Sequence, residues 1–204
     1  VRTARPSPLK KLNPVAAKDT TEFMELRMIY DTLFRIGPDG SPKPWAAESY
    51  KMVDPTTIDL TIRKNMKWHD GEPFTAEDVK FTFDYSKKWK APFFNSILQK
   101  VDSVEVVGKN GVRIKLKESY APLISNLLGG LFLIPKHIWK DIPEKADVED
   151  PLNFPNETPI GSGPFKFDYW YRGRELKVSV FKPHFNPPKC AGIIGTVYGS
   201  HDAV

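Results

Sequence analysis

The chain has 204 residues, which is enough for one sizeable domain or two small ones. Hydrophobic residues make up 40% and aromatic residues 12%, so a packed core can form, and the composition argues against wholesale disorder. The net charge of +5 comes from 30 Lys and Arg against 25 Asp and Glu with both signs interspersed. This pattern is typical of a solvated surface, and we expect no nucleic-acid partner.

The single cysteine, Cys190, excludes an internal disulfide and with it the disulfide-stapled class of secreted proteins. No apolar stretch approaches the roughly 18 residues that a membrane-spanning helix needs. The basic segment 1–11 has no apolar region after it, so it is not an intact secretory signal. With no initiator Met at its start, we expect a processed or cloned fragment.

The first elements are predicted from spacing and turn chemistry. Residues 1–18 are rich in Pro and Lys and are expected to be extended. Thr20 or Thr21 is then expected to cap a helix that runs to about Phe34, because apolar residues recur at three- and four-residue spacing. A turn is predicted at 37–40, followed by a loop through 42–45. Strict alternation over Thr57–Arg63 indicates a half-buried strand.

Asp70-Gly71 is a tight turn by its residue types, and Thr75 is expected to cap a helix that ends near Trp89. Two hairpins are predicted from strand patterns on either side of turn residues, at 101–116 and 165–181. Short helices are expected after Pro122 and Pro135, a loop over 143–160, a strand over 192–198 and a helix opening near Ser200. Strands and helices do not alternate regularly. The pattern therefore predicts an α+β fold of mixed, mostly antiparallel sheets with flanking helices.

Few residues suggest catalysis or metal binding. His69, Asp70 and Glu72 have the residue types of a metal or acid/base cluster, which leaves a metal-dependent hydrolase as an alternative function. However, Asp70-Gly71 is also good turn chemistry, and no second histidine cluster accompanies it. His184 and Cys190 are too few for a zinc site, even with the distant His201. We expect no catalytic residues, no metal and no cofactor.

A set of motifs goes further than this chemistry. In chain order they are Leu12-Asn13-Pro14, Ile29–Arg35, Trp45–Tyr50, Met66–Phe83 with its Trp68-His69-Asp70-Gly71 core, and Pro159–Phe167. In this order and spacing they resemble the family 5 extracellular solute-binding proteins, whose members include oligopeptide-, dipeptide- and nickel-binding proteins. The resemblance runs from residue 12 to about residue 198.

The resemblance implies a partial periplasmic-binding-protein-like lobe of class II together with an extra subdomain that is specific to the family. Residues 1–45 would form the first segment of the ligand-binding lobe, 46–155 the extra subdomain, and 156–204 the return segment of the first lobe. The second lobe is expected to be absent from this chain.

The resemblance also implies a function. The protein would be the extracytoplasmic solute-binding component of an ABC importer, without enzymatic activity. It would bind a peptide or similar small solute between two lobes and deliver it to the permease subunits. We expect a monomer of bacterial or archaeal origin that is periplasmic, or extracellular and membrane-associated. It would meet the membrane only through the permease or a lost lipid anchor.

In relatives, ligand contacts come from the first helix, the loop after the Thr75-capped helix and the segment near residue 131. Carried over to this sequence, the expected ligand-binding residues are Thr21, Phe23, Met24, Phe93, Phe94, Gly130, Leu131 and Phe132. Nickel-type members place an arginine in the last segment, where this chain has Gly130 and Leu131. A peptide is therefore expected, with a nickel or metal chelate as the alternative within the same family.

Overall fold

The computed structural model describes residues 1–5, 8–145 and 149–198. Within them the strands are β1 (Arg2–Arg5), β2 (Phe34–Ile36), β3 (Pro42–Pro44), β4 (Ala47–Asp54), β5 (Thr57–Ile62), β6 (Val101–Val107), β7 (Gly111–Leu116), β8 (Phe165–Tyr171), β9 (Glu175–Val180) and β10 (Gly192–Val197). The α-helices are α1 (Thr20–Ile29), α2 (Ala76–Lys88), α3 (Asn95–Leu98), α4 (Lys136–Trp139) and α5 (Ile142–Lys145). A π-helix covers Leu123–Leu128 and a 3₁₀ helix covers Pro151–Asn153.

The described strands form a two-stranded pair of β2 and β3 and two four-stranded sheets. The first large sheet has the order β1-β10-β9-β8, and only its β1–β10 pair is parallel. The second has the order β4-β5-β7-β6 and is antiparallel throughout. The predicted α+β class with mostly antiparallel sheets is therefore confirmed.

The second sheet shows how alternation produces two different faces. Ile58 and Leu60 point into the core and are almost completely buried. Between them, Asp59 points the other way and accepts hydrogen bonds from Arg113 Nε and NH2, each at 2.7 Å. One face is thus apolar and covered by α2, and the other is polar and solvated.

Helix α2 begins at the predicted N-cap, Thr75. The Asp78 carboxylate accepts from the Thr75 backbone N–H at 2.8 Å, and its other oxygen accepts from the Lys136 backbone N–H at 3.0 Å. Val79 and Phe83 are buried on the helix face that meets the sheet, as predicted. Asp78 therefore both caps α2 and ties it to the start of α4.

The prediction for the first helix was wrong at both ends. Helix α1 is capped by Asp19 and stops at Ile29, five residues before the predicted end. Beyond it the backbone is extended, because the Asp31 carbonyl accepts from Leu133 N at 2.9 Å and the Leu33 carbonyl accepts from Trp45 N at 2.9 Å. These tertiary hydrogen bonds override the helical spacing.

Two predicted loops contain regular structure. The predicted loop 42–45 contains β3 (Pro42–Pro44), which pairs with β2 across the predicted turn at 37–40. The predicted loop 143–160 contains the end of α5 and the 3₁₀ helix. The short helix after Pro122 is present but has π geometry. The helix opening expected near Ser200 lies outside the described residues.

Two apolar clusters form the core. The larger cluster is built mainly from residues 46–142 and includes Trp68, Phe83 and Trp139. The smaller cluster is formed by residues between 9 and 30, by residues of strands β8 and β9, and by one residue from outside these segments. Its buried members are Leu9, Leu12, Ala17, Leu26, Ile29, Tyr30, Phe132, Phe165, Leu176 and Val178. Phe23 packs against both clusters. Among the described helices, none has the length and apolar character to cross a membrane.

Candidate functional site

Four phenylalanines from three separate segments meet beside α1, and we call Phe23, Phe93, Phe94 and Phe132 the aromatic cluster. The ring of Phe23 lies at the centre. Its centroid is 4.9 Å from that of Phe93, 5.9 Å from that of Phe94 and 5.5 Å from that of Phe132. The Phe93 and Phe94 rings are 5.0 Å apart. The fold thus brings together the three segments from which ligand contacts were expected.

The exposed part of the cluster is the part that a ligand can reach. Phe93 is 57% exposed, and the neighbouring Met24 is 68% exposed. Phe23 is half-buried and its ring contacts that of Phe93, so the two rings form an apolar contact surface. Met24 adds exposed apolar area at the position next to Phe23 in the chain.

The other predicted positions support this surface from below. Phe94, Leu131 and Phe132 are buried. Gly130 lies against Phe94, and a side-chain carbon at this position would stand 2.9 Å from the Phe94 ring. A glycine is therefore needed for the ring to pack where it does.

A cavity of about 520 Å³ lies at the N-terminal end of α1. The predicted residue Thr21 lines it, as do Glu22 and Pro92, the chain neighbours of Phe23 and Phe93. Glu22 accepts from the Lys18 backbone N–H at 2.8 Å, and Asp19 accepts from the Glu22 backbone N–H at 3.0 Å. The carboxylates are thus used in ordering the helix start, and charges of both signs face the cavity. The polar and charged lining residues include Lys11, Lys18, Asp19, Thr21, Glu22 and Asp150.

The hydrolase alternative built on His69, Asp70 and Glu72 is wrong, because the three side chains do not converge. His69 is buried; its Nε2 donates to the Gly163 carbonyl at 2.9 Å, and its Nδ1 accepts from Gly161 N at 3.2 Å. Burial lowers the pKa of His69 to about 4, so it is a neutral imidazole that fastens a backbone loop. Asp70 instead accepts from His137 at 2.8 Å on the surface, and Glu72 is exposed.

A buried polar network around Asp31 was not foreseen. The Asp31 carboxylate is fully buried and accepts from Trp45 Nε1 at 2.7 Å, from Ser162 Oγ at 3.1 Å and from His184 Nε2 at 3.3 Å. His184 Nδ1 accepts from Asn186 N at 3.0 Å, which leaves the imidazole proton on Nε2. Asp31 lay in a motif that resembled the family, but its spacing was attributed to a helix, so the sequence alone gave it no partners.

The same network explains His184, which had been considered as a zinc ligand. His184 is occupied by Asp31, and Cys190 packs against the smaller apolar cluster. The third candidate, His201, lies outside the described residues. In the part of the chain that the structure describes, no three His, Cys, Asp or Glu side chains are grouped so that they could hold a metal ion.

Comparison with known proteins identifies the family. Residues 41–204 match the family described as "Bacterial extracellular solute-binding proteins, family 5 Middle". The chain therefore belongs to this family. The oligopeptide-binding protein AppA of Bacillus subtilis is 36% identical over 161 residues, which cover 78% of this chain and 29% of AppA. A putative ABC transporter peptide-binding protein of Brucella ovis is 35% identical over 174 residues, covering 82% of this chain and 31% of the relative.

Solved structures agree with the fold. AppA in complex with a nonapeptide superposes with a TM-score of 0.88 at 28% identity, covering all of this chain and 40% of AppA. A mannohexaose-bound periplasmic oligopeptide-binding protein of Thermotoga maritima has a TM-score of 0.84 at 25% identity, covering 98% of this chain and 38% of that protein. The fold is thus periplasmic-binding-protein-like. The chain spans roughly a third of the length of these relatives.

Proposed function

We propose that this chain is part of the extracytoplasmic solute-binding component of an ABC importer and that its ligand is a peptide. The observation that carries this proposal is the aromatic cluster. Its members Phe23 and Phe93 directly follow Glu22 and Pro92 in the chain, and these two residues line the cavity at the start of α1. The family is one of solute-binding proteins, and AppA is an oligopeptide-binding protein solved with a nonapeptide. Because the chain spans less than half of these relatives, the ligand, the permease and the transport cycle are proposed for the whole protein.

The surface suits a peptide for two physical reasons. Phe93, Phe23 and Met24 offer apolar area that accepts many side chains, since dispersion and desolvation impose little geometric demand. The cavity beside them carries both ammonium and carboxylate groups, which suit the amide groups and the charges of a peptide backbone and its termini. Binding without chemistry is then sufficient for transport, because ligand-driven closure shifts the population toward the form that a permease recognises.

The first test is native mass spectrometry of the full-length gene product purified without denaturation. We expect a set of co-purified peptides that disappears after partial unfolding and dialysis. The assay also detects the alternatives, since a bound oligosaccharide or a metal chelate would have a different mass. Absence of peptide, together with no binding of a peptide library to the stripped protein, would contradict the proposal.

A substitution test localises the site. In the full-length gene product, Phe93→Ala should weaken binding of the best peptide about tenfold, because roughly 1–2 kcal/mol of apolar and ring contact is lost. Tyr171→Ala is a matched control: Tyr171 is also 57% exposed, but it lies at the tip of the β8–β9 hairpin. Isothermal titration calorimetry on both variants decides the matter. Equal affinities in Phe93→Ala and Tyr171→Ala would remove Phe93 from the site.

We further propose that residues 1–45 and 156–204 belong to the ligand-binding lobe and that 46–155 form the family's extra subdomain. The two apolar clusters support this division, since nine of the ten buried residues of the smaller cluster lie in 1–45 or 156–204. Phe132 is the exception, and it reaches the smaller cluster from the segment that contributes to the aromatic cluster.

The proposed setting follows from the same function. The protein would act as a monomer in the periplasm or on the outer side of the cytoplasmic membrane of a bacterium or archaeon. It would contact the membrane through permease subunits or a lipid anchor. Size-exclusion chromatography with light scattering on the full-length gene product checks the oligomeric state, where a mass of twice the monomer would contradict this part.

A further inference from the structure

A second, smaller cavity lies between the loop after β5 and the segment after β9. Its volume is about 210 Å³, and we call it the loop cavity. It shares no lining residue with the cavity at the start of α1. Its walls are formed chiefly by Lys64, Asn65 and Lys67 on one side and by Ser162, His184 and Phe185 on the other.

The charge of the lining has one sign. Lys64 and Lys67 are exposed, and neither ammonium group has a hydrogen-bond or ion-pair partner among the described residues. No carboxylate belongs to the residues that line the cavity. Two unpaired ammonium groups at one small opening raise its local positive potential, which favours entry of an anion.

Further cations stand behind the aromatic wall. The Arg63 guanidinium lies 4.8 Å from the centre of the Phe185 ring, and its Nε donates to the Trp45 carbonyl at 2.6 Å. Trp45 packs edge-on against Phe185 at 5.0 Å, and the Arg35 guanidinium lies 3.9 Å from the Trp45 ring. Both guanidinium groups thus stack on aromatic rings. No ion pair with an exposed carboxylate is formed by either arginine among the described residues.

Asp31 contacts two residues of the cavity lining, but it is not available to the lysines. Its carboxylate is fully buried behind Ser162 and His184 and accepts hydrogen bonds from both. Its ion-pair contact is with Arg35, at 3.9 Å. Among the residues that line the loop cavity, Lys64 and Lys67 carry positive charge and none carries a carboxylate, so the lining itself is positive.

We propose that the loop cavity binds a small oxyanion, a carboxylate or phosphate group, through Lys64 and Lys67. The volume is below the roughly 300–1,000 Å³ that drug-sized ligands fill, so the occupant is a group of few heavy atoms. The hydroxyl of Ser162 and the aromatic wall bound the cavity on the inside, and the two lysines supply charge-assisted hydrogen bonds at its mouth. This site is independent of the proposed peptide site.

The experiment uses the 204-residue chain at constant pH and low ionic strength, with inorganic phosphate and succinate as probes in parallel titrations. The imidazole C–H signals of His184 in a proton–carbon NMR spectrum report on the cavity, because His184 lines it. The chain has four histidines, so the spectra of His69→Gln, His137→Gln and His201→Gln assign three of them and leave the fourth set of signals to His184. We expect a saturable shift of the His184 signals with at least one probe, while those of His137 stay in place. A His184 shift that fails to saturate with both probes would overturn the proposal.

The variant Lys64→Gln/Lys67→Gln should bind the better probe about tenfold more weakly, since it loses both charge-assisted hydrogen bonds. Lys64→Arg/Lys67→Arg should keep most of the affinity because it keeps the charge. The matched control is Lys109→Gln/Lys189→Gln, which makes the same change in net charge at two exposed lysines outside the cavity. An equal loss in the control, or an unchanged affinity in Lys64→Gln/Lys67→Gln, would show that the cavity lysines do not hold the anion.

Discussion

Among the individual residues, His69 gives a pH dependence whose sign follows from its burial. Its pKa falls from 6.5 in the unfolded chain to about 4 in the folded protein. Between these values the unfolded state binds a proton that the folded state does not. This contribution to stability is therefore complete above pH 6.5 and is lost as the pH falls toward 4. The loss amounts to about 3 kcal/mol, at 1.36 kcal/mol per unit of pKa.

The comparison that isolates this effect is with His69→Gln, whose amide can donate to the Gly163 carbonyl and accept from Gly161 N without titrating. Urea unfolding at pH values from 7 to 4 should show the wild type losing about 3 kcal/mol more than the variant. The carboxylates titrate in both proteins, so their effect cancels in the difference. Parallel pH profiles would mean that His69 is not the group responsible.

For individual residues, the sequence predicted which side chains come together better than it predicted what each side chain does. The resemblance brought forward Phe23, Phe93 and Phe132, which the fold places in contact. It could not show which of them are exposed, since burial depends on packing between segments far apart in the chain. His69 and Asp31 illustrate the same limit. Each has hydrogen-bond partners more than 90 residues away, so local patterns suggested a catalytic cluster for His69 and a helix for Asp31.

Among the elements, the start of helix α2 depends on Asp78. Replacing it by Ala removes the acceptor of Thr75 N and of Thr75 Oγ1 and leaves Lys136 N without its partner. We expect Asp78→Ala to cost roughly 2–4 kcal/mol, the sum of a lost cap and an unsatisfied donor. The measurement is chemical denaturation monitored by circular dichroism.

Asp84→Ala provides the control on the same helix. Asp84 is exposed and pairs only with Lys80, four residues earlier, so its loss should cost about 0.5 kcal/mol or less. The difference in unfolding free energy between the two variants measures the contribution of the Asp78 hydrogen bonds to Thr75 and Lys136. The general effect of removing one negative charge is common to both variants and cancels. If both variants unfold at the same denaturant concentration, the cap is not a main determinant of this helix.

The elements that sequence predicted well are those whose partners are local. Strand β5 alternates over its whole length, and the β6–β7 and β8–β9 hairpins pair across short turns. Strand β3 was missed because its prolines indicate a loop, although as an edge strand it tolerates them. The end of α1 was missed because the hydrogen bonds that stop it come from Leu133 and Trp45.

At the scale of the whole molecule, the order of strands in the first sheet was beyond sequence reasoning. β1 pairs with β10, and the chain between them contains every other described element. A four-residue strand near the start carries no periodic signal, and its partner is set by the fold as a whole. Sequence patterns therefore predicted the class of the fold and its hairpins, while the division into a lobe and a subdomain is proposed from the family resemblance.

Among the described glycines, Gly161 leaves the least room for a side-chain carbon. The loop held by His69 runs against the end of α1. A side-chain carbon on Gly161 would stand 2.0 Å from the Ile29 carbonyl oxygen, which itself accepts from Gly163 N. Gly161→Ala must push this loop away from α1, so we expect a loss of about 3 kcal/mol or more in unfolding free energy.

Gly173→Ala is the control, because its site is open and only its φ of +72° disfavours alanine, at a cost of about 1 kcal/mol. Hydrogen exchange in Gly161→Ala should also speed up at the amides of Tyr30 and Gly163. Equal costs for the two glycines would mean that the contact between the Gly161 loop and α1 yields without strain.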